Sequence, residues 1–110
     1  MQESIALTEA TYYILLALYE PNHGYGIMQK VEKLSNGRLN LSPGTLYGAL
    51  NTLMEKDWIT MLPIESNSRK KEYQLTERGL KALKNEVRRL RELVENGNVI
   101  LGGCDDEEDS

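Results

Sequence analysis

The stretch LSPGTLYGAL, residues 41–50, decides how the rest of the chain is read. It has the form of a helix start. Ser42 is a good N-cap, Pro43 suits the first helical position, and leucines follow at helical spacing. Yet Gly44 and Gly48 sit one turn apart inside it, and each costs about 1 kcal/mol relative to alanine in a helix interior. At about 100° per residue, Leu46, Ala49, Leu50, Leu53 and Met54 cluster on one side. They would pack against two preceding helices, with Trp58 and Ile59 closing the core. Gly44, Tyr47, Gly48 and Asn51 project from the other side, flanked by Thr45 and Thr52. A face meant only for water is normally filled with Lys, Glu and Arg. This one is small, uncharged and hydrogen-bonding, with one aromatic.

Two readings of that face stand side by side. In one, the glycines permit close packing of another helix, and Tyr47 is half core. In the other, the helix enters a DNA major groove. Gly44 and Gly48 then let the backbone approach, while Ser42 and Thr45, with the first-turn amides, hold a phosphate at the positive helix end. Asn51 would meet a base edge, and Tyr47 a phosphate or a thymine methyl.

Upstream, TEATYYILLALYE at 8–20 reads as a first helix, capped by Thr8 and stopped by Pro21. Tyr12 to Leu18 is apolar or aromatic on nearly every side, and such a helix is buried all round. A short chain covers one of its faces well, so the other is expected to meet a second subunit. A central helix wrapped by its own chain is the alternative. NHGYG at 22–26 is a turn into a second helix, about 27–35, with a buried stripe of Ile27, Val31 and Leu34 and a breaker in Gly37.

Downstream, the third helix ends near Lys56. Residues 58–64 and 71–75 suit strands, and Pro63 confines the first to an edge position. Between them PIESNSRKK is turn-forming and basic. Thr76 then caps a fourth helix expected to run through Val94 and to close at Asn96-Gly97. The order helix, helix, helix, strand, basic loop, strand, helix is that of a winged helix-turn-helix with one extra helix, a mainly α chain with a small β-wing. The expected division is a winged helix-turn-helix over 1–76, a dimerisation helix over 77–97 and a flexible acidic tail over 98–110. In that arrangement Arg69, Lys70 and Lys71 lie on a wing that reaches phosphates or the minor groove beside the third helix.

Charge agrees only once its distribution is considered. The 110 residues carry a formal charge of −4, but DDEED at 105–109 supplies five acidic groups. Without them, 13 basic residues face 12 acidic ones, and nine of the 13 lie between Arg69 and Arg91. The overall charge neither excludes nor demands a nucleic-acid partner.

Other function classes find little support. No apolar run approaches the roughly 20 residues that span a bilayer. The start, MQESIALTE, lacks a signal peptide's basic region and cleavage site, and the single Cys104 has no disulfide partner, so a cytoplasmic protein is expected. There is no Gly-rich phosphate loop, CxxC or HExxH, and His23 has no partner at a diagnostic spacing. Neither cofactor nor metal is expected, and DDEED reads as a solubilising end. Catalysis has no constellation to carry it.

Three motifs resemble the PadR-like transcriptional regulators: HGYG at 23–26, GTLYGAL at 44–50 and RKKEYQLTERG at 69–79. The resemblance runs from about Leu7 to Val94. It implies that HGYG opens the second helix, that GTLY lies on the recognition helix, and that the third motif forms the second wing strand and leads into the dimerisation helix. The sequence departs at Gly48, where the family often has proline, and its short C-terminal region resembles the short subgroup. The resemblance further implies a repressor, often one released by a small aromatic or lipophilic molecule.

Leu80, Leu83, Val87, Leu90 and Val94 are spaced 3, 4, 3, 4, a heptad seam of only about two heptads. So short a seam needs surface from elsewhere, and the over-apolar first helix offers it through Tyr12, Tyr13 and Leu16. A homodimer on an inverted-repeat operator is expected, with half-sites about one helical turn apart. Lys81, Lys84, Arg88, Arg89 and Arg91, with Glu86 and Glu92, form a solvated outer face. Tyr12, Tyr13, Ile14 and Leu16 could line an effector cavity at the interface or fill an ordinary dimer core. A winged-helix adaptor that binds proteins and no DNA is the competing function.

Overall fold

Every helix begins on a side chain that accepts a hydrogen bond from its own first turn. Thr8 accepts from the Thr11 amide, His23 from Gly26, Ser42 from Thr45 and Thr76 from Gly79. Each cap satisfies a donor that the helix leaves without a partner. The computed structural model describes residues 6–63 and 71–102. Within them the order is α1 (Glu9–Ala17), β1 (Asn22–His23), α2 (Gly24–Leu34), α3 (Pro43–Glu55), β2 (Ile59–Met61), β3 (Glu72–Leu75) and α4 (Glu77–Ile100). This is the expected mainly α chain with a small antiparallel sheet.

The core is one cluster. α1 contributes Ile14, Leu15 and Leu18, α2 Ile27 and Val31, α3 Leu46, Leu50 and Leu53. Ile59, Tyr73 and Leu83 close it from β2, β3 and α4. Ala49, Met54 and Trp58 pack against its margin, as the α3 pattern requires. The loops after α2 and α3 use the same chemistry. After α2, Asn36 takes φ +56°, and the amides of Asn36 and Gly37 return to the carbonyls of Lys33 and Glu32. After α3, Asp57 takes φ +62°, and the amides of Asp57 and Trp58 return to Met54 and Leu53. Both are Schellman-type closures, with a short polar side chain in the left-handed region where glycine is the usual choice.

Five local expectations are corrected. β1 is a strand that the turn reading of NHGYG overlooked; its residues Asn22 and His23 pair with Tyr73 and Glu72, so β3 is the central strand in the order β1-β3-β2. α2 starts at Gly24 rather than near Ile27, because His23 Nδ1 supplies the cap at 3.2 Å from the Gly26 nitrogen. Leu34 does not join the α2 stripe and is 41% exposed, because it is the last residue of the helix, where the chain turns away at Ser35 and Asn36. α1 ends at Ala17; Leu18 and Tyr19 close it with shorter-range bonds to Leu15 and Leu16 before Pro21, which disfavours helix at Glu20. α4 continues through Asn96-Gly97 to Ile100, so residues 98–100 are helical. An Asn-Gly pair costs a helix about 1–2 kcal/mol but does not compel a turn. The stop comes at Gly102, φ +94°.

A sixth correction bears on stability. Glu86, expected on the solvated outer face, is 4% exposed. Arg89 holds it through two bonds, Nε to Oε1 at 2.8 Å and a terminal nitrogen to Oε2 at 2.7 Å. The Leu7 amide adds a third bond to Oε2 at 3.2 Å. The hydrogen bond from Arg89 pulls the Glu86 pKa below the usual carboxylate range, against the desolvation that raises it. Heptad arithmetic could not find this, because the burial comes from the segment before α1.

Two outcomes test these packing statements. A β-carbon at Gly79 would fall inside contact distance of the Trp58 carbonyl oxygen, a backbone atom. Gly79→Ala should therefore destabilise the protein by about 2 kcal/mol despite alanine's better helix propensity, read as a lower midpoint in urea. Glu86 has a folded-state pKa below its unfolded one, so its contribution is present above the unfolded pKa and is lost as pH falls through the folded pKa. Glu86→Gln should lower Tm near neutrality and flatten its decline toward acid; a parallel decline in both proteins would dismiss the linkage.

Candidate nucleic-acid interface

α3 divides its residues as the wheel requires. Leu46, Leu50 and Leu53 are buried, whereas Ser42, Gly44, Thr45, Tyr47, Gly48 and Asn51 are all exposed. Nothing lies within 4 Å of a β-carbon built at Gly44 or at Gly48. Among the described residues the two glycines therefore serve no packing, and the close-helix alternative has no helix to support it. No acidic side chain interrupts the face before Glu55 at its far end.

The hydroxyls at the helix start are partly engaged. Ser42 Oγ accepts from the Thr45 amide at 3.2 Å and donates to Thr45 Oγ1 at 3.0 Å. Thr45 keeps its own hydroxyl proton to donate outward. Thr52 donates to the Gly48 carbonyl at 3.2 Å, which ties the flank of the helix to its glycine.

Tyr47 bridges two helices. Its hydroxyl lies where a β-carbon of Gly24 would be, so the glycine that opens α2 makes room for the ring. The ring remains 43% exposed, between the α2 start and the outer face of α3. Behind it Tyr73 is buried, and that burial, followed by the proximity of Tyr47, raises the Tyr73 pKa above the ordinary phenol value. Tyr25, in the first turn of α2, is also exposed, beside the same helix start. The sequence reading did not single it out. The signal was present, because Tyr25 lies roughly opposite the stripe of Ile27 and Val31.

On the wing, Lys71 is exposed and directly precedes β3, whose Glu72 pairs with His23. Arg69 and Lys70 lie outside the described residues. β2 is an edge strand, as Pro63 demands, and the Leu62 amide extends the ladder to the Glu72 carbonyl at 2.8 Å. α3, the start of α2 and the start of β3 thus meet at one corner, through Tyr47 over Gly24 and His23 beside Glu72.

The residues expected at a subunit contact separate into two groups. Leu83 is 4% exposed within its own chain, and Tyr12, Tyr13, Leu16, Leu80 and Leu90 are half-buried. Val87 and Val94 are exposed, and beyond them Leu93, Val99, Ile100 and Leu101 are exposed too. Ile14, expected near an effector cavity, is fully buried in the core. Among the described residues no group of His, Cys, Asp and Glu could hold a metal ion, and no helix is long and apolar enough to cross a membrane.

Comparison with known proteins gives one consistent result. The model of the Transcriptional regulator PadR-like family matches residues 14–85. Transcriptional regulator YqjI of Escherichia coli is 36% identical over 76 residues, which cover 69% of this chain and 35% of that protein. An uncharacterized 37.1 kDa protein in a Streptomyces fradiae transposon is 35% identical over 100 residues, 90% of this chain and 27% of that protein. The chain thus spans about a third of the length of the curated relatives it matches. A PadR family transcription regulator from Clostridium difficile superposes with a TM-score of 0.72 at 23% identity, covering 86% of this chain and 99% of that one. A PadR-like transcription factor from Bacteroides fragilis gives 0.66 at 30% identity, covering 83% and 87%. The family is one of transcriptional regulators rather than enzymes, and this chain belongs to it.

Proposed function

We propose that the protein is a sequence-specific DNA-binding regulator that acts as a homodimeric repressor on an inverted-repeat operator. One observation carries the reading. The outer face of α3 holds two glycines whose missing side chains face open space, in a surface without charge. A helix carrying two such residues gains nothing from them within its own fold, but it gains close approach to a groove. Gly44, Thr45, Tyr47, Gly48 and Asn51 would enter the major groove, with Ser42 and Thr45 at the phosphates of the first turn. Arg69, Lys70 and Lys71 would hold the backbone from the wing.

The exposed apolar half of α4 supports the dimer. Leu93 and Val94 are 51% and 61% exposed, and Val99, Ile100 and Leu101 are 75–85% exposed. So continuous an apolar strip on one helix marks an association surface. The half-buried Tyr12, Tyr13 and Leu16 of α1 lend it further area. Release by a small lipophilic effector is part of the same proposal.

DNA selected from random sequence by the protein, followed by direct binding, tests the reading; no enrichment would favour the adaptor. Gly48→Leu should abolish that binding and leave the fold intact, with helix stability raised by up to about 1 kcal/mol. Replacing Arg69, Lys70 and Lys71 together by alanine should weaken binding to every sequence, and each lost phosphate contact should lower the log–log salt slope by about 0.9. An unchanged slope would remove the wing from the interface. Leu93→Glu with Val94→Glu should give a folded monomer in sedimentation, because both side chains are exposed in the single chain, and its operator affinity should collapse. Leu83→Glu should unfold the chain instead, since it puts a charge into the chain's own core.

A further inference from the structure

The outer face of α4 carries a row of cations. At about 100° per residue, Lys81, Lys84, Arg88 and Arg91 fall within about 80° of one another. All are exposed, and they lie roughly opposite Leu83 and Glu86, which are buried. None of them makes an ion pair among the described residues, and the hydrogen-bond partner of Arg88 is neutral, Asn85 Oδ1 at 2.8 Å. Glu77, Glu92 and Glu95 stand one turn away from Lys81, Arg88 and Arg91, yet none comes within ion-pair distance. Like charges spaced three and four apart on one helix destabilise it. The fold gains nothing from this row.

The complementary charge lies next in the chain. α4 stops at Gly102, whose φ of +94° turns the backbone off the helix axis. Gly103 and Cys104 follow, and then DDEED at 105–109. An extended chain spans about 3.4 Å per residue, so Glu107, Glu108 and Asp109 reach about 17, 20 and 24 Å from Gly102. The helix rises about 1.5 Å per residue, which puts Arg91, Arg88 and Lys84 about 17, 21 and 27 Å back from the same point. The Lys84 side chain closes the last gap. Asp105 would pass Glu95 at about 10 Å, so pairing begins beyond it. We propose that the acidic segment of this chain docks antiparallel on the α4 row, with Glu107, Glu108 and Asp109 against Arg91, Arg88 and Lys84.

Each exposed pair is weak alone. The short tether compensates, because it holds the acids beside the row at an effective concentration of about millimolar. The attraction acts over a Debye length, about 10 Å at 0.1 M salt, and fades as salt rises. A docked acidic segment also denies the row to other polyanions, so that DNA meets only α3 and the wing. That shielding rests on the proposed function; docking does not.

Cys104 is the only cysteine, so Cys104→Ser with Ser110→Cys gives a full chain that takes one nitroxide just past the acids. At low salt and without DNA, amide relaxation should be enhanced along residues 84–91. The enhancement should vanish in about 0.5 M salt and when Lys84, Arg88 and Arg91 are replaced together by glutamine, all of them exposed positions. Enhancement confined to the end of α4, or unchanged by the three substitutions, would overturn the docking. Enhancement in isotope-labelled chains mixed with unlabelled nitroxide chains would put the segment on a second copy and overturn the intrachain arrangement. Asp105→Asn, Asp106→Asn, Glu107→Gln, Glu108→Gln and Asp109→Asn together should raise affinity for random duplex DNA about tenfold and steepen the log–log salt slope by up to about 2.7, from three freed cations. Docking without that gain would overturn the shielding. Docking in a chain that binds no DNA, with or without its acids, would leave the docking standing and defeat the proposed function.

Discussion

The fold depends on one hydroxyl. Thr76 Oγ1 accepts from the Gly79 amide at 3.0 Å, which starts α4, and donates to the Asp57 carbonyl at 2.6 Å, just past the end of α3. The Thr76 amide adds a bond to the Trp58 carbonyl at 3.0 Å. The end of one helix and the start of the next are thereby fixed together by residues 19 apart in the chain, with β2 and β3 between them. Asp57 accepts the left-handed conformation so that Trp58 can turn back, and Gly79 has no side chain so that α4 can lie against the Trp58 backbone.

That constraint makes the composition of α3 affordable. Its two glycines cost about 2 kcal/mol together. Leu46, Leu50 and Leu53, all essentially buried, contribute about 1.5–3 kcal/mol each. The inner face alone therefore holds the helix, with a cap at Ser42 and a Schellman closure at Asp57, and leaves the outer face free of any structural duty. Tyr47 is the exception, because it joins that face to the start of α2 over Gly24.

Most of this was legible in the sequence because it is local. Caps at Thr8, Ser42 and Thr76 follow from side chains that reach their own next turn, and the α3 wheel follows from leucine spacing. What escaped depends on partners distant in the chain. His23 reads as a turn residue until β3 pairs beside it, and its imidazole then starts a helix three residues early. Glu86 reads as a surface acid until the Leu7 amide, 79 residues away, arrives to bury it. Leu83 fits a heptad seam as well as it fits a core, and only the placement of α4 on α1 decides for the core. The wing tip, with Arg69 and Lys70, lies outside the described residues, so its role rests on the sequence and on Lys71 at its base.

The same placement divides α4 into two functional halves. Up to Glu86 and Arg89 the helix is held by its own chain, through Leu83 in the core and the Leu7 amide on the carboxylate. From Arg91 to Ile100 it extends about 15 Å further, with the apolar side chains of Leu93, Val94, Val99 and Ile100 exposed. The helix is continuous from Glu77 to Ile100, so the second half follows the axis that the Thr76 junction sets. Under the proposed dimer, the pairing of two such halves then sets the separation of the two α3 helices directly. Operator spacing would be a property of the Thr76 junction and the α4 seam, while operator sequence would be read by the small residues of α3. The two could then vary independently, since a β-carbon built at Gly44 or Gly48 meets no described atom of α4 within 4 Å.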